Sequence, residues 1–184
     1  FCRGAGAPDH PRWADRRPAA MAAFERQEDA LLAELRRIDP ARLSPAKRFI
    51  HAGMVERLEA ARDGRICRFE LWGVNHMGGW HLGLATVARD QPVGTAEERA
   101  QALERWASLP SAIDQEIANL RPRLAAGYSA PEAGVVRVVR QIDGIVSADV
   151  ETLPYYAMAE RTWDQDFRTG LREILSGPVK DAFR

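Results

Sequence analysis

His76 and His81 are the two residues whose type and spacing best suit chemistry in this sequence, because they lie five positions apart across Gly78 and Gly79. Imidazole nitrogens bind metal ions and exchange protons near neutral pH. If the two rings converge, they can hold a metal ion or a substrate carboxylate. Two histidines without a third ligand are weak evidence for a metal site, however. The simpler interpretation is a loop whose histidines bond to backbone groups or face water.

Other familiar catalytic patterns are absent from the 184 residues. None of the four histidines is followed by Glu, so the His-Glu-x-x-His segment of zinc peptidases is missing. There is no Cys-x-x-Cys pair, no glycine-rich phosphate loop and no Gly-x-Ser-x-Gly turn. The sequence therefore assigns no catalytic, cofactor-binding or metal-binding residue in this chain.

Residues 72–83 contain four glycines, two tryptophans and two histidines. Glycine at that density does not sustain a regular element without a conformational cost. The segment is therefore predicted to be a Gly/Trp/His-rich loop or a broken helix. If any part of the chain contacts a substrate, we expect it to be Asn75, His76 and His81, as lining residues of a cleft.

The elements that would position this loop have the 3.6-residue period of helices. A first helix is predicted from Pro18, with an inward stripe, and a second from Ser44-Pro45. The stripe of the first comprises Met21, Phe24, Leu31, Leu35 and Ile38, and that of the second comprises Ile50, Met54, Leu58 and Ala61.

Helix boundaries in the second half are predicted from caps, prolines and glycines. Capping boxes are expected at Thr95–Glu98, Ser129–Glu132 and Thr162–Gln165. Pro110 should begin a helix with Ile113, Ile117, Leu120 and Leu124 on one stripe, Pro122 should kink it or end it early, and Gly127 should stop it.

Gly177-Pro178 is expected to end the last full helix, and residues 179–184 then look like a new helix that stops within two turns. That pattern suggests a truncated chain. We therefore predict an all-α fold, an irregular multi-helix bundle formed by a single domain over residues 1–184, as an incomplete N-terminal part of a larger helical protein.

Composition limits the classes of partner. Apolar residues make up 46% of the chain, and 26 basic residues balance 26 acidic ones. Zero net charge argues against nucleic-acid binding, and no apolar run is long enough to span a membrane. No signal peptide is visible, which favours the cytoplasm but leaves open a secreted parent whose signal was removed. The two cysteines form no disulfide framework, and Cys67 is expected to be a small buried side chain.

The order of several short motifs resembles that of the N-terminal part of the bacterial "domain of unknown function 885" family. The resemblance rests on Arg12–Asp15, Ile38–Ser44, Val74–Gly79, Gln91–Thr95, Leu109–Ile113 and Asn119–Gly127, with Pro131 beyond. The motifs span nearly the whole chain, and Pro122 departs from the family pattern.

The resemblance implies a long, mostly helical parent that is a zinc-dependent metallopeptidase. The family's catalytic His-Glu-x-x-His segment would lie outside these residues, and so would the zinc. No cofactor is therefore expected in this chain, which alone should not be catalytic. It would form part of the wall of a cleft for peptide substrates, with the remainder of the parent chain as its partner.

Two alternatives stay open. The chain is a non-catalytic helical binding or scaffolding module, or a small metal-binding protein that uses His76 and His81. The peptidase interpretation predicts an exposed apolar face where the rest of the parent docks, whereas the scaffold predicts a closed core. Self-association over exposed apolar surface is a further hypothesis, which a sedimentation experiment can test.

Overall fold

A computed structural model describes residues 11–68, 71 and 73–184, and every regular element in these ranges is helical. The all-α prediction is confirmed. None of the described helices is both long and apolar enough to cross a bilayer. Cys2, His10 and Trp72 lie outside the described residues.

The chain divides into two compact units. One is Asp15–Leu71, and the other combines Phe1–Ala14 with Trp72–Arg184. The single domain over residues 1–184 stays a prediction.

The smaller unit, Asp15–Leu71, is a helical hairpin. Helix α1 spans Pro18–Arg36 and α2 spans Pro45–Gly64. Both begin with proline, whose fixed φ and missing N–H suit the first helical turn. The Ser44 hydroxyl accepts a hydrogen bond from the Lys47 N–H at 3.5 Å. The two predicted helix starts are confirmed.

The predicted inward stripes of the hairpin are partly wrong. Leu32 is the buried residue of α1, whereas its neighbour Leu31 is 51% exposed. On α2, Ile50 and Met54 are also exposed, and His51 is turned inward so that its Nε2 bonds to the Leu35 carbonyl at 2.8 Å. Neighbouring residues of an α-helix point about 100° apart. When apolar residues do not recur at every turn, the sequence therefore does not determine which side of the helix is buried.

Arg65 joins the end of α2 to α1. Its guanidinium donates to Asp29 at 2.9 Å, to Glu28 at 3.1 Å and to the Glu25 carbonyl at 3.1 Å. Multidentate arginine contacts of this kind fix the geometry of a pair better than a single ion pair does. Cys67, just beyond, is exposed, which corrects its expected burial.

The larger unit contains the remaining helices. They are α3 (Trp80–Asp90), α4 (Ala96–Ala107), α5 (Leu109–Ala125), α6 (Glu132–Ser147), α7 (Ala157–Glu160), α8 (Gln165–Ile174) and α9 (Lys180–Phe183). Helix α4 packs on α8, α3 on α7, and α9 on both α5 and α6. The loop of interest precedes α3. Of the segment predicted as a loop over residues 72–83, Gly73–Gly79 is non-helical and residues 80–83 form the first turn of α3.

Trp106 lies at the centre of the core of the larger unit and is fully buried. Trp13 meets it edge-on at 5.5 Å between ring centroids and donates its indole N–H to the Arg105 carbonyl at 2.6 Å. The ring of Tyr155 also packs against Trp106, with 5.3 Å between the two ring centroids. Buried aromatic groups of this size contribute much of the apolar area that stabilises a small unit.

Only one of the three predicted capping boxes is present. At α4 the Thr95 hydroxyl accepts from the Glu98 N–H at 3.2 Å, and the Glu98 carboxylate accepts from the Thr95 N–H at 2.9 Å. The box at Ser129 is wrong, because α6 begins at Glu132 with Pro131 as its cap. The box at Thr162 is wrong as well.

Asp164 caps α8 in place of Thr162, since its carboxylate accepts the Phe167 N–H at 2.9 Å. That hydrogen bond, together with Arg99 at 2.9 Å, holds the pKa of Asp164 below its usual value. An ionised carboxylate at this position also suits the positive end of the helix.

Pro122 does not end its helix early, which corrects the expected break, because α5 continues to Ala125. The stop at Gly127 is confirmed by its φ of +86°. The N–H of Tyr128 donates to the Arg123 carbonyl and that of Gly127 to the Leu124 carbonyl, both at 3.0 Å, which completes a Schellman ending.

The buried stripe on α5 also differs from the prediction, because Glu116, Asn119 and Arg123 are buried. Ile117 and Leu124 are exposed.

Gly177-Pro178 does not end the last helix. A π-helical turn over Leu175–Val179 carries α8 directly into α9. Proline lacks an N–H and its ring crowds the preceding turn, and a wider turn with i→i+5 bonding accommodates both features. The new helix expected at Val179 is therefore a continuation of the old one.

The capping contacts at Thr95 give a stability prediction. Thr95→Ala should lower the free energy of unfolding by about 1 kcal/mol, because it removes a side-chain acceptor from the first turn of α4. Ser129→Ala is the matched control and should change it by less than about 0.5 kcal/mol. Urea unfolding measures both, and equal losses in the two variants would contradict the assignment.

Candidate functional site

The loop Gly73–Gly79 contains a tight turn closed by its own asparagine. The Asn75 Oδ1 accepts hydrogen bonds from the Met77 N–H at 2.8 Å and the Gly78 N–H at 3.3 Å. Asparagine often replaces a backbone acceptor in this way. The turn leaves the two Nδ2 donors of Asn75 without an acceptor among the described residues. It also presents Met77 to solvent, at 81% exposure.

Gln141 of α6 contacts both the middle of this loop and the first turn of α3. Its Nε2 donates to the His76 carbonyl at 3.0 Å, and its Oε1 lies 3.0 Å from His81 Nε2. Because that oxygen can only accept, His81 carries a proton on Nε2. One amide side chain thus connects the loop, the first turn of α3 and α6.

His76 contacts the same helix one turn earlier. Its Nε2 lies 2.9 Å from Nη1 of Arg137. A guanidinium only donates, so His76 Nε2 is the acceptor and the ring proton sits on Nδ1. The two Nε2 atoms therefore have opposite roles, since that of His81 donates to Gln141 and that of His76 accepts from Arg137. Its Nδ1 lies close above Gly134, 3.7 Å from where a Cβ would stand.

His81 lies beneath the loop and is only 2% exposed. The Tyr155 hydroxyl donates to the His81 carbonyl at 3.4 Å, and Trp80 meets the imidazole edge-on at 5.9 Å. Trp80 also stacks on Phe183 at 5.9 Å with ring planes 5° apart. Burial raises the pKa of Tyr155 to about 12. These contacts make His81 a packed support of the loop, below its exposed surface.

A groove of about 390 Å³ opens between the loop and the start of α6. It is lined by Val74, Asn75, His76, Ala130, Pro131, Ala133, Gly134 and Arg137. Its volume is at the lower end of the range of ligand pockets, about 300–1,000 Å³. The walls are small or apolar, and the polar groups are confined to three side chains. We call this space the loop–α6 groove.

The residues of this site do not fit a zinc ion. No three His, Cys, Asp or Glu side chains of the described ranges are grouped so that they can hold one metal ion. His76 Nε2 is already bonded to a cationic arginine, which would repel a metal, and His81 Nε2 is bonded to Gln141. The described contacts thus give no support to the hypothesis of a small metal-binding protein.

The structure brings the three predicted site residues to one place but gives them different positions. Asn75 and His76 line the loop–α6 groove, and His81 is buried behind them. Sequence reasoning missed Arg137 and Gln141, which lie at least 60 positions from their partners. The one available signal was their spacing of four, which places them on one face of a helix.

Gly79 is required by the packing of the loop. A Cβ there would stand 2.4 Å from the Asn75 carbonyl oxygen and 2.6 Å from the His81 ring. Gly79→Ala should cost about 1–3 kcal/mol of stability and shift the His81 ring resonances. Gly78→Ala is the matched control, since the nearest atom would be 3.9 Å away. Urea unfolding and histidine NMR measure both, and a neutral Gly79→Ala would contradict the geometry.

Tyr155 gives a prediction for alkaline pH. Its pKa is about 12 in the folded chain and about 10 when unfolded, so its contribution is complete below pH 10 and is lost as pH rises through 12. Between about pH 9 and pH 11.5 this group alone should remove about 2 kcal/mol of stability. Tyr155→Phe should lose correspondingly less over that interval in urea titrations. Parallel losses in both proteins would show that the hydroxyl titrates normally.

Comparison with known proteins adds one finding. A search of curated proteins finds no match. A family sequence profile described as "Bacterial protein of unknown function (DUF885)" matches residues 3–184. This match covers nearly the whole chain, including the loop, the groove and both units. The chain therefore belongs to the DUF885 family of bacterial proteins.

Proposed function

We propose that this chain forms part of the wall of the substrate cleft in a zinc-dependent metallopeptidase. The observation that carries the proposal is the loop–α6 groove, an open space beside a loop that Gln141 and Arg137 hold in one conformation. Preorganised walls of this kind orient a substrate without taking part in bond cleavage. The catalytic His-Glu-x-x-His segment is absent from residues 1–184 and belongs to the remainder of the parent chain in this proposal.

The polar groups around the groove suit a peptide. The N–H groups on Nδ2 of Asn75 are available to donate a hydrogen bond to a peptide carbonyl oxygen, because the turn uses only its Oδ1. Small residues on α6, Ala133 and Gly134, allow a backbone to approach closely. A few placed polar groups among apolar walls are typical of ligand clefts.

Zinc enters the proposal only through residues outside this chain, since the described residues do not fit it. A bound zinc ion would supply an activated water for peptide hydrolysis. The contribution of this chain is to bind and orient the peptide and to limit water around it. His81 and Tyr155 support the loop from below and do not reach the groove.

A non-catalytic binding or scaffolding module is the second candidate, and it has an observation of its own in its favour. In the smaller unit Phe49 is 82% exposed, and Ile50 and Met54 on the same helix are exposed as well. Exposed apolar patches mark sites of protein association. The peptidase proposal accounts for the same residues as a contact with the parent chain, and self-association would also cover them.

The test uses the longer protein that carries the zinc-binding segment. We expect it to cleave peptides, and a chelator should abolish cleavage. Asn75→Ala together with His76→Ala should raise KM about tenfold while kcat changes by less than about twofold, because only uniform binding is lost. Arg121→Ala, an exposed change on α5, is the control and should alter neither constant.

Two outcomes would count against the proposal. If the longer protein binds no zinc and cleaves no peptide, the scaffold candidate replaces it. If cleavage occurs but the double variant leaves KM unchanged, this loop is not part of the substrate wall.

A further inference from the structure

Arg137 is a charged group that its surroundings hold but do not neutralise. Its one hydrogen bond within the described ranges goes to His76 Nε2, a neutral acceptor, and no described carboxylate lies within ion-pair distance. Two other arginines of the larger unit are paired with carboxylates, Arg99 with Asp164 at 2.9 Å and Arg172 with Glu151 at 2.7 Å. The loop–α6 groove thus contains an oriented positive charge.

The bond to His76 leaves most of the guanidinium unused. A guanidinium has five N–H donors in a planar fork, and the contact with His76 uses only Nη1. The remaining donors match the two oxygens of a carboxylate. His76 sets the position of the fork without reducing its charge, which is the arrangement that favours capture of an incoming anion.

The rest of the groove selects among anions. Its other walls are Val74, Ala130, Pro131, Ala133 and Gly134, which suit an apolar group next to the charged one. A doubly charged phosphate is disfavoured, because the groove offers one cation and Glu132 begins the same helix with a negative charge. The fit is therefore to a singly charged carboxylate attached to a small apolar group.

We propose that the loop–α6 groove binds the C-terminal carboxylate of a peptide, with Arg137 as the group that receives it and His76 as its positioning residue. This inference rests on the proposed function and makes it more specific. It places the C-terminal end of the substrate, rather than its middle, against this wall. Carboxylates of peptides and of free short-chain acids share this chemistry, so the test separates the two sources.

The experiment titrates the ¹⁵N-labelled chain with N-acetyl-Ala-Leu, with its C-terminal amide and with 4-methylpentanoate, and follows the amides of Gly73–Gly79 and Ala133–Arg137. We expect the free acid of the peptide to bind at least about tenfold more tightly than the amide, as loss of a charge-assisted hydrogen bond requires. Arg137→Gln should abolish that preference, and Arg137→Lys should keep part of it. Arg140→Gln, on the same helix but outside the groove, should keep all of it.

The remaining outcomes distinguish the carboxylate site from the peptide-binding wall of the proposed function. Equal binding of acid and amide at these amides would overturn the carboxylate site and leave the peptide wall standing. Binding of 4-methylpentanoate as tightly as the peptide, lost in Arg137→Gln, would support the carboxylate site and count against a peptide substrate. Shifts that inorganic phosphate or acetate reproduces equally, or that persist in Arg137→Gln, would overturn the site as adventitious anion binding.

Discussion

The hydrogen-bonding needs of a glycine-containing loop are the constraint on which the site depends. Gly73–Gly79 lies outside regular secondary structure, so its carbonyl and N–H groups need partners from side chains or water. Asn75 supplies an acceptor from within, and Gln141 supplies a donor from α6. The loop therefore keeps its shape through α6, and the groove between them exists only while that connection holds.

Side chains also supply hydrogen-bond partners for the backbone in the core of the larger unit. Arg105 donates to the Gln91 side chain at 2.7 Å, and Arg161 donates to the carbonyls of Ala88 at 2.7 Å and Gln91 at 2.8 Å. Long polar side chains thus satisfy the backbone where α3 ends. Buried polar groups need such partners to avoid a desolvation cost. Specific polar contacts, rather than apolar area alone, fix how the loop-bearing helix α3 is seated.

Much of the fold could be predicted from the sequence, because proline, serine and threonine at helix starts act locally. Pro18, Ser44 and Thr95 each define a boundary through the next three residues. Ser129 and Thr162 carry the same pattern but do not cap, since Pro131 and Asp164 are the cap residues of those helices. Competition between overlapping signals is decided by packing, which a local pattern does not contain.

The candidate site was predictable only on its loop side. Asn75 and His76 stand out by type and by the glycines around them, whereas Arg137 resembles any exposed helical arginine. Its role follows from contact with His76 across 61 positions of chain, which depends on the fold. His81 stood out for the same reasons as His76, yet it is a buried support. Residue type therefore indicated chemistry, and burial decided which histidine faces the groove.

The π turn explains an unusual repeat on the last helix. Phe167, Leu171, Leu175, Val179 and Phe183 are all buried and recur every fourth residue. In an uninterrupted α-helix each such step advances by about 40° around the axis, so four steps would turn the last residue almost to the opposite side. A π-helical turn has more residues per revolution, so it rotates the residues that follow it back toward the original face of the helix. The π turn at Gly177-Pro178 thus keeps these five side chains on the face that packs against the core. A strict four-residue apolar repeat in a sequence therefore indicates a turn of this kind.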